Sequence, residues 1–168
     1  MDGISSQKGT GSDSSVGRRL SRRFQVNLVG EGALVGLIGG GVVTLYRLSL
    51  SAAERLLRQV TGAAAGNAPL MAAWAVALLG ILLVVRALMR WEPATSGSGI
   101  PQVDAEVMGR MDMPWHRVVL AKFCEGTLLT FAGLSMGREG PSVQLGGMSG
   151  KAVSRILHRK RGEERLLV

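Results

Sequence analysis

Two short segments hold the residues whose types and spacing could do chemistry. Gly97-Ser98-Gly99-Ile100-Pro101 and Gly137-Arg138-Glu139-Gly140-Pro141 both read Gly-x-x-x-Pro, and each precedes a helical run. Proline suits the first turn of a helix, where a missing N–H sacrifices no hydrogen bond. Glycine lets the backbone turn sharply and approach a ligand closely. Such segments leave free N–H groups at helix N-termini, which carry partial positive charge and bind anions. In a low dielectric these partial charges act strongly, yet without a full countercharge they let the ion leave again. Glu139 adds a carboxylate that can compete with an anion for the same amides when charged and withdraw when protonated. Burial and amide hydrogen bonds act on its protonation in opposite senses, and the sequence leaves that balance open. The plainer alternative is a pair of ordinary loop-to-helix turns, with a solvated Glu139 paired to Arg138.

The elements that must position these segments are apolar and rich in glycine. Of 168 residues, 46% are hydrophobic, 4% aromatic and 24 are Gly. Asn27 to Tyr46 contains one charge, Glu31, and Gln59 to Val85 contains none. The first span is expected to start near Asn27 and pass Tyr46, with Arg47 to Gln59 continuing it as an amphipathic stretch. Gly36 and Gly40 have the spacing by which small residues let membrane helices approach, a weak signal in a glycine-rich run. Thr61 to Pro69 reads as a turn and Leu70 to Val85 as a second span, long enough to cross a bilayer. Arg86 and Arg90 close it.

After Trp91 the segments are short or interrupted. Gln102 to Met111 reads as a short helix, Asp112 to Trp115 as a connector, Arg117 to Met136 as a helix carrying Lys122 and Glu125, and Ser142 to Leu157 as a last helix. Irregular backbone at membrane depth survives only inside protein or along a watery cavity. Paired, Gly/Pro-broken segments are the sequence pointer to a transport site. The fold class is therefore all-α: a polytopic membrane protein with tilted and discontinuous helices. Residues 1–25 read as a disordered basic cytoplasmic arm, and residues 26–168 as membrane domain.

Charge and composition exclude several classes. The net charge is +8 with a pI near 11. The basic clusters, Arg18 to Arg23 and Lys151 to Arg165, flank uncharged stretches as positive-inside topology demands, and they do not indicate nucleic acid. One cysteine, Cys124, and two distant histidines, His116 and His158, give no metal site and no disulfide framework. No nucleophile–base constellation is present, so the chain does not read as an enzyme, and no cofactor is implied. No phosphate-loop pattern surrounds either glycine segment. Lys122 either adds positive potential to an anion path or pairs with Glu125. Cys124, Met108, Met111 and Met113 read as packing, and Trp74 as an interface residue.

The two motifs, with Ser142-Val143-Gln144-Leu145-Gly146 after the second and Lys122-Phe123 before it, resemble the CLC family of chloride channels and chloride/proton antiporters. The resemblance covers roughly residues 26–160, the N-terminal third of the family's transport domain, so the chain is expected to be incomplete. The resemblance implies chloride as substrate and the proton as a possible coupling ion. It implies a multi-pass location in a bacterial-type plasma membrane with lipid as partner. Homodimers are the family's rule, although this stretch lacks the helices that form them. Ser98 matches the serine whose hydroxyl faces the central chloride, and it favours chloride over nitrate. Gly97, Ser98, Gly99, Ile100 and Pro101 match the inner anion segment. Arg138, Glu139 and Gly140 match the outer one, with Glu139 as gate. Channel and exchanger both remain open. The alternative is a non-conducting membrane segment that acts only by assembling with other chains.

Overall fold

The structure, a computed structural model, describes residues 13–134 and 137–156. Those residues form five α-helices and one 3-10 turn, with no strand among them. The helices are α1 (Asp13–Ala64), α2 (Ala68–Trp91), α3 (Ile100–Val107), α4 (Trp115–Phe131) and α5 (Glu139–Ile156), and the 3-10 turn is Pro93–Thr95. By contacts the chain divides into two units, Met1–Leu34 and Val35–Val168. In the first unit, Val29 and Leu34 expose their side chains.

Helix α1 begins at Asp13, inside the stretch read from sequence as an unstructured arm. Its Arg18, Arg19, Leu20, Arg22 and Arg23 are good helix formers, so propensity there runs with the helix. Residues 1–12 of that arm lie outside the described residues. The helix also runs through Thr61–Ala64, which the sequence reading gave to a turn, and the reversal is confined to 65–67. Gly66 there takes φ +84°, a left-handed conformation that suits glycine. Asn67 then caps α2, its side chain accepting from the Leu70 amide, with Pro69 in the first turn.

Two helices are long and apolar enough to cross a membrane: the Gly32–Ala64 part of α1, and α2. The 24 residues of α2 rise about 36 Å at 1.5 Å each, against a hydrocarbon thickness of about 30 Å. Leu70, Met71, Val76, Leu79, Leu82, Leu83 and Val84 all stand exposed along it. Water would not tolerate such a surface, whereas lipid does.

In the second unit the core is assembled by α4 and α5 with the C-terminal part of α1. Tyr46, Leu50 and Leu145 form one buried cluster, flanked by Val42, Val43, Val119 and Phe123. Ala94, Met113, Val118 and Met148 form another, flanked by Trp115 and Val119. Small residues set the close approaches. A Cβ at Gly39 would touch the Gly146 backbone and Ser149 of α5 at 3.6–3.8 Å, while one at Gly36 or Gly40 would meet nothing within 4 Å. The predicted Gly36–Gly40 face is therefore not the packing face. The helix is rotated so that Gly39 meets α5. Gly126 of α4 lies against the ring and hydroxyl of Tyr46 with no room for a methyl group.

Behind α3 lies an ionic cluster. Lys151 of α5 is fully buried, and its Nζ donates to Glu106 Oε1 (2.5 Å), Asp112 Oδ1 (2.6 Å) and the Met113 carbonyl (2.7 Å). The other oxygen of Glu106 accepts from the Met113 amide at 2.7 Å, and Arg155 reaches Asp112 at 2.9 Å. All three donors of the ammonium are used, so its burial is compensated. The cluster fixes the back end of α3 and the following connector on α5. Met113 packs as expected, but Met108 and Met111 are exposed and Cys124 is half-buried. Trp74 stacks edge-on against Phe131 of α4, and Trp115 edge-on against His116.

Candidate functional site

The two Gly-x-x-x-Pro segments open α3 and α5, and the fold brings them into contact. Helix α5 starts at Glu139, so Glu139, Gly140 and Pro141 form its first turn. Gly140 is buried against Ser98: a Cβ there would overlap the Ser98 carbonyl oxygen and lie 3.0 Å from its carbonyl carbon. One turn further on, Gln144 packs on Gly99, where a Cβ would come within 2.7 Å of Oε1. Gly99 takes φ +95° and is the N-terminal cap of α3, so glycine is needed there for conformation and for space. Gly97 takes φ +84°.

Side chains hold four successive carbonyls, three leading into the first segment and one at its first residue. Gln144 Nε2 donates to Ala94 (2.8 Å), Lys122 Nζ to Thr95 and Gly97 (2.7 Å each), and Gln102 Nε2 to Ser96 (2.5 Å). Carbonyl and amide point in opposite directions across each peptide plane, so anchoring the carbonyls on the protein side turns the amides that follow away from it. The Thr95 and Ser96 amides close the 3-10 turn onto Glu92 and Pro93. The Gly97, Ser98 and Gly99 amides donate to no acceptor among the described residues. Gly97, Ser98 and Ile100 are exposed, whereas Gly99 is buried. Pro101 fills the first turn of α3 and is also exposed.

The second segment is held more lightly. Arg138 forms an ion pair with Glu54 of α1, both side chains being partly exposed. The Ser142 hydroxyl donates to the Arg138 carbonyl at 2.6 Å, one turn into α5. Glu139 is exposed and pairs with no cation among the described residues, so the reading in which it pairs with Arg138 does not hold. The first-turn amides of α5 have no acceptor within the helix, as at any helix start.

Of the two readings given to Lys122, the pair with Glu125 is not the one found. The ammonium is buried and bound to two carbonyl dipoles, so its full charge is not cancelled by a carboxylate contact. Spacing along α4 reveals the Lys122–Glu125 proximity, but not that the lysine would turn to the 95–97 backbone. Gln102 and Gln144 were not singled out from sequence. The available signal was a pair of long amide side chains, one in each helix that the breakers open.

A sequence model of the family described as voltage gated chloride channel matches residues 80–168, just over half of the chain and all of both segments. The chain belongs to that family. Among similar curated proteins, the H(+)/Cl(-) exchange transporter ClcA of Vibrio campbellii is 30% identical over 139 residues, covering 79% of this chain and 29% of that protein. The ClcA proteins of Cronobacter sakazakii and Vibrio cholerae are 39% and 37% identical over 90 residues, 54% of this chain and 18% of each of theirs. The chain thus spans less than a third of the length of these relatives. Family members of this kind are membrane proteins, in keeping with the apolar surfaces of α1 and α2.

Proposed function

We propose that this chain builds part of a chloride pathway in a transporter of ClcA length. The observation that carries this reading is the contact between Gly140 and the Ser98 carbonyl, which sets the starts of α3 and α5 side by side. In this reading Gly97, Ser98, Gly99 and Ile100 offer amides, and Ser98 a hydroxyl, to an inner anion, while Pro101, which has no N–H, fixes the first turn of α3 behind them. Arg138, Glu139 and Gly140 offer amides to an outer one. Two helix starts, each worth roughly half a positive charge, add to the buried Lys122. Among the described residues, no carboxylate accepts from the Gly97, Ser98 or Gly99 amides.

Glu139 sits at the first residue of α5 with an exposed, uncommitted carboxylate. It acts as gate by taking the place of the outer anion when charged and leaving it when protonated. The basic N-terminal arm faces the cytoplasm, Ser98 selects chloride over nitrate, and the complete transporter is a plasma-membrane homodimer. Proton-coupled exchange is the favoured mode, by likeness to the named relatives.

The test is chloride flux from liposomes holding the complete transporter, with Glu139→Gln beside the unmodified protein. The expected result is flux that depends on pH in the unmodified protein and depends on it much less in the variant. Equal pH dependence in both would remove Glu139 from the gate.

A further inference from the structure

Glu125 lies in the interior, and none of the roles above uses it. Its side chain is fully buried on α4, one turn after Lys122. The Thr95 hydroxyl oxygen lies 2.7 Å from Glu125 Oε1 and 2.8 Å from the Glu92 carbonyl oxygen. A hydroxyl has one proton, and a carbonyl oxygen has none to offer. If Glu125 were a carboxylate, three oxygens would share one proton, and one of the two short contacts would be a repulsion between lone pairs. If Glu125 carries a proton on Oε1, it donates to Thr95, Thr95 donates to Glu92, and both contacts are hydrogen bonds.

The surroundings agree with this count. Glu125 Oε2 is buried with no hydrogen-bond partner, a tolerable place for the carbonyl oxygen of an acid and a costly one for half of a carboxylate. The nearest cation, Lys122, spends two of its three donors on the Thr95 and Gly97 carbonyls and makes no ion pair with Glu125. Among the described residues, the Tyr46 phenol from α1 also acts on it, and the Glu92 carboxyl caps Ala94 in the adjoining 3-10 turn. Neither is a cation, and the Arg138 guanidinium, which acts on Tyr46, is paired with Glu54.

We propose that Glu125 is a proton-binding site, carried as the neutral acid in this arrangement and donating through Thr95 to the Glu92 carbonyl. The proton sits directly behind the segment that bears Ser98. While it is present, the Lys122 charge behind that segment is not offset by a carboxylate at Glu125. When it leaves, a carboxylate appears one helical turn from Lys122 and cancels that charge, and the Thr95 contact to Glu92 is broken. Proton occupancy at Glu125 therefore sets the anion affinity of the Ser98 segment, a consequence that rests on the chloride reading, whereas the proton itself does not.

Infrared spectroscopy of the full chain in detergent at neutral pH tests the proton without any transport assay. The difference between unmodified protein and Glu125→Gln should show loss of one protonated-carboxyl C=O band. Thr95→Val removes the acceptor of the acid proton, so the same band should shift in that variant. Thr95→Val also keeps the test decisive if Glu125→Gln does not fold. Loss of carboxylate bands in the Glu125→Gln difference, or a carboxyl band indifferent to Thr95→Val, overturns the proposal. With Glu139→Gln in the background so that the gate does not titrate, chloride affinity of the complete transporter should then fall several-fold as pH is raised when Glu125 is present but stay level when Glu125→Gln is added. Absence of chloride binding in both would reject the chloride reading and leave the infrared result standing.

Discussion

The starts of α3 and α5 share one sequence pattern and are built in opposite ways. The segment before α3 has four successive carbonyls anchored by three buried or half-buried side chains, and two glycines at positive φ. The segment before α5 has one ion pair at the surface and one hydroxyl contact. The first is a fixed cradle whose amides cannot turn without breaking buried hydrogen bonds. The second leaves Glu139 free to move while Gly140 stays seated on Ser98. A repeated motif therefore need not mean a repeated role. The side chains that reach it from elsewhere decide whether it is rigid.

The contrast breaks most severely at Lys122. Lys122→Met removes two charge-assisted hydrogen bonds and strands two carbonyls. At about 1.5–3 kcal/mol each, thermal unfolding in detergent should show a loss of about 3 kcal/mol or more. The same change should release the Gly97 carbonyl and weaken chloride binding beyond what the lost stability accounts for.

Gly140→Ala comes next. Its methyl group must displace the Ser98 carbonyl, an overpacking cost of about 1–3 kcal/mol, and flux should drop with it. Gly137→Ala is the internal control, because a Cβ there meets nothing within 4 Å. Its stability and flux should stay near those of the unmodified protein. Similar effects from the two alanines would deny that the helix starts are in contact.

The smallest effect belongs to the surface pair. A double-mutant cycle on Arg138 and Glu54 should return a coupling of about 1 kcal/mol or less, given the exposure of both partners. A coupling of several kcal/mol would mean that the second segment is held as firmly as the first.

Much of this architecture was legible in the chain. The two breakers, the spans around Tyr46 and Leu70–Val85, and the short helices after Trp91 follow from charge spacing, glycine and proline. What escaped depends on direction rather than spacing. Gly36 and Gly40 had the right interval, yet the rotation of α1 is set by where Tyr46 and Leu50 bury, and that places Gly39 on α5. Lys151 read as one of a run of basic residues, because nothing local shows that Glu106 and Asp112 converge on it. Gln144 sits inside the recognised motif, but its bond to Ala94 crosses fifty positions of sequence. The helical start at Asp13 shows the opposite limit, where a polar stretch can still be helical by propensity alone.

The central claim is that the two helix starts form one anion-binding place. Bromide scatters anomalously and substitutes for chloride, so crystals of the complete transporter grown in bromide test it most directly. The account predicts anomalous density beside the Ser98 hydroxyl and the Gly97 and Ser98 amides, with a second peak at the α5 start that appears or strengthens in Glu139→Gln. Density elsewhere in the protein with none at either helix start would contradict it.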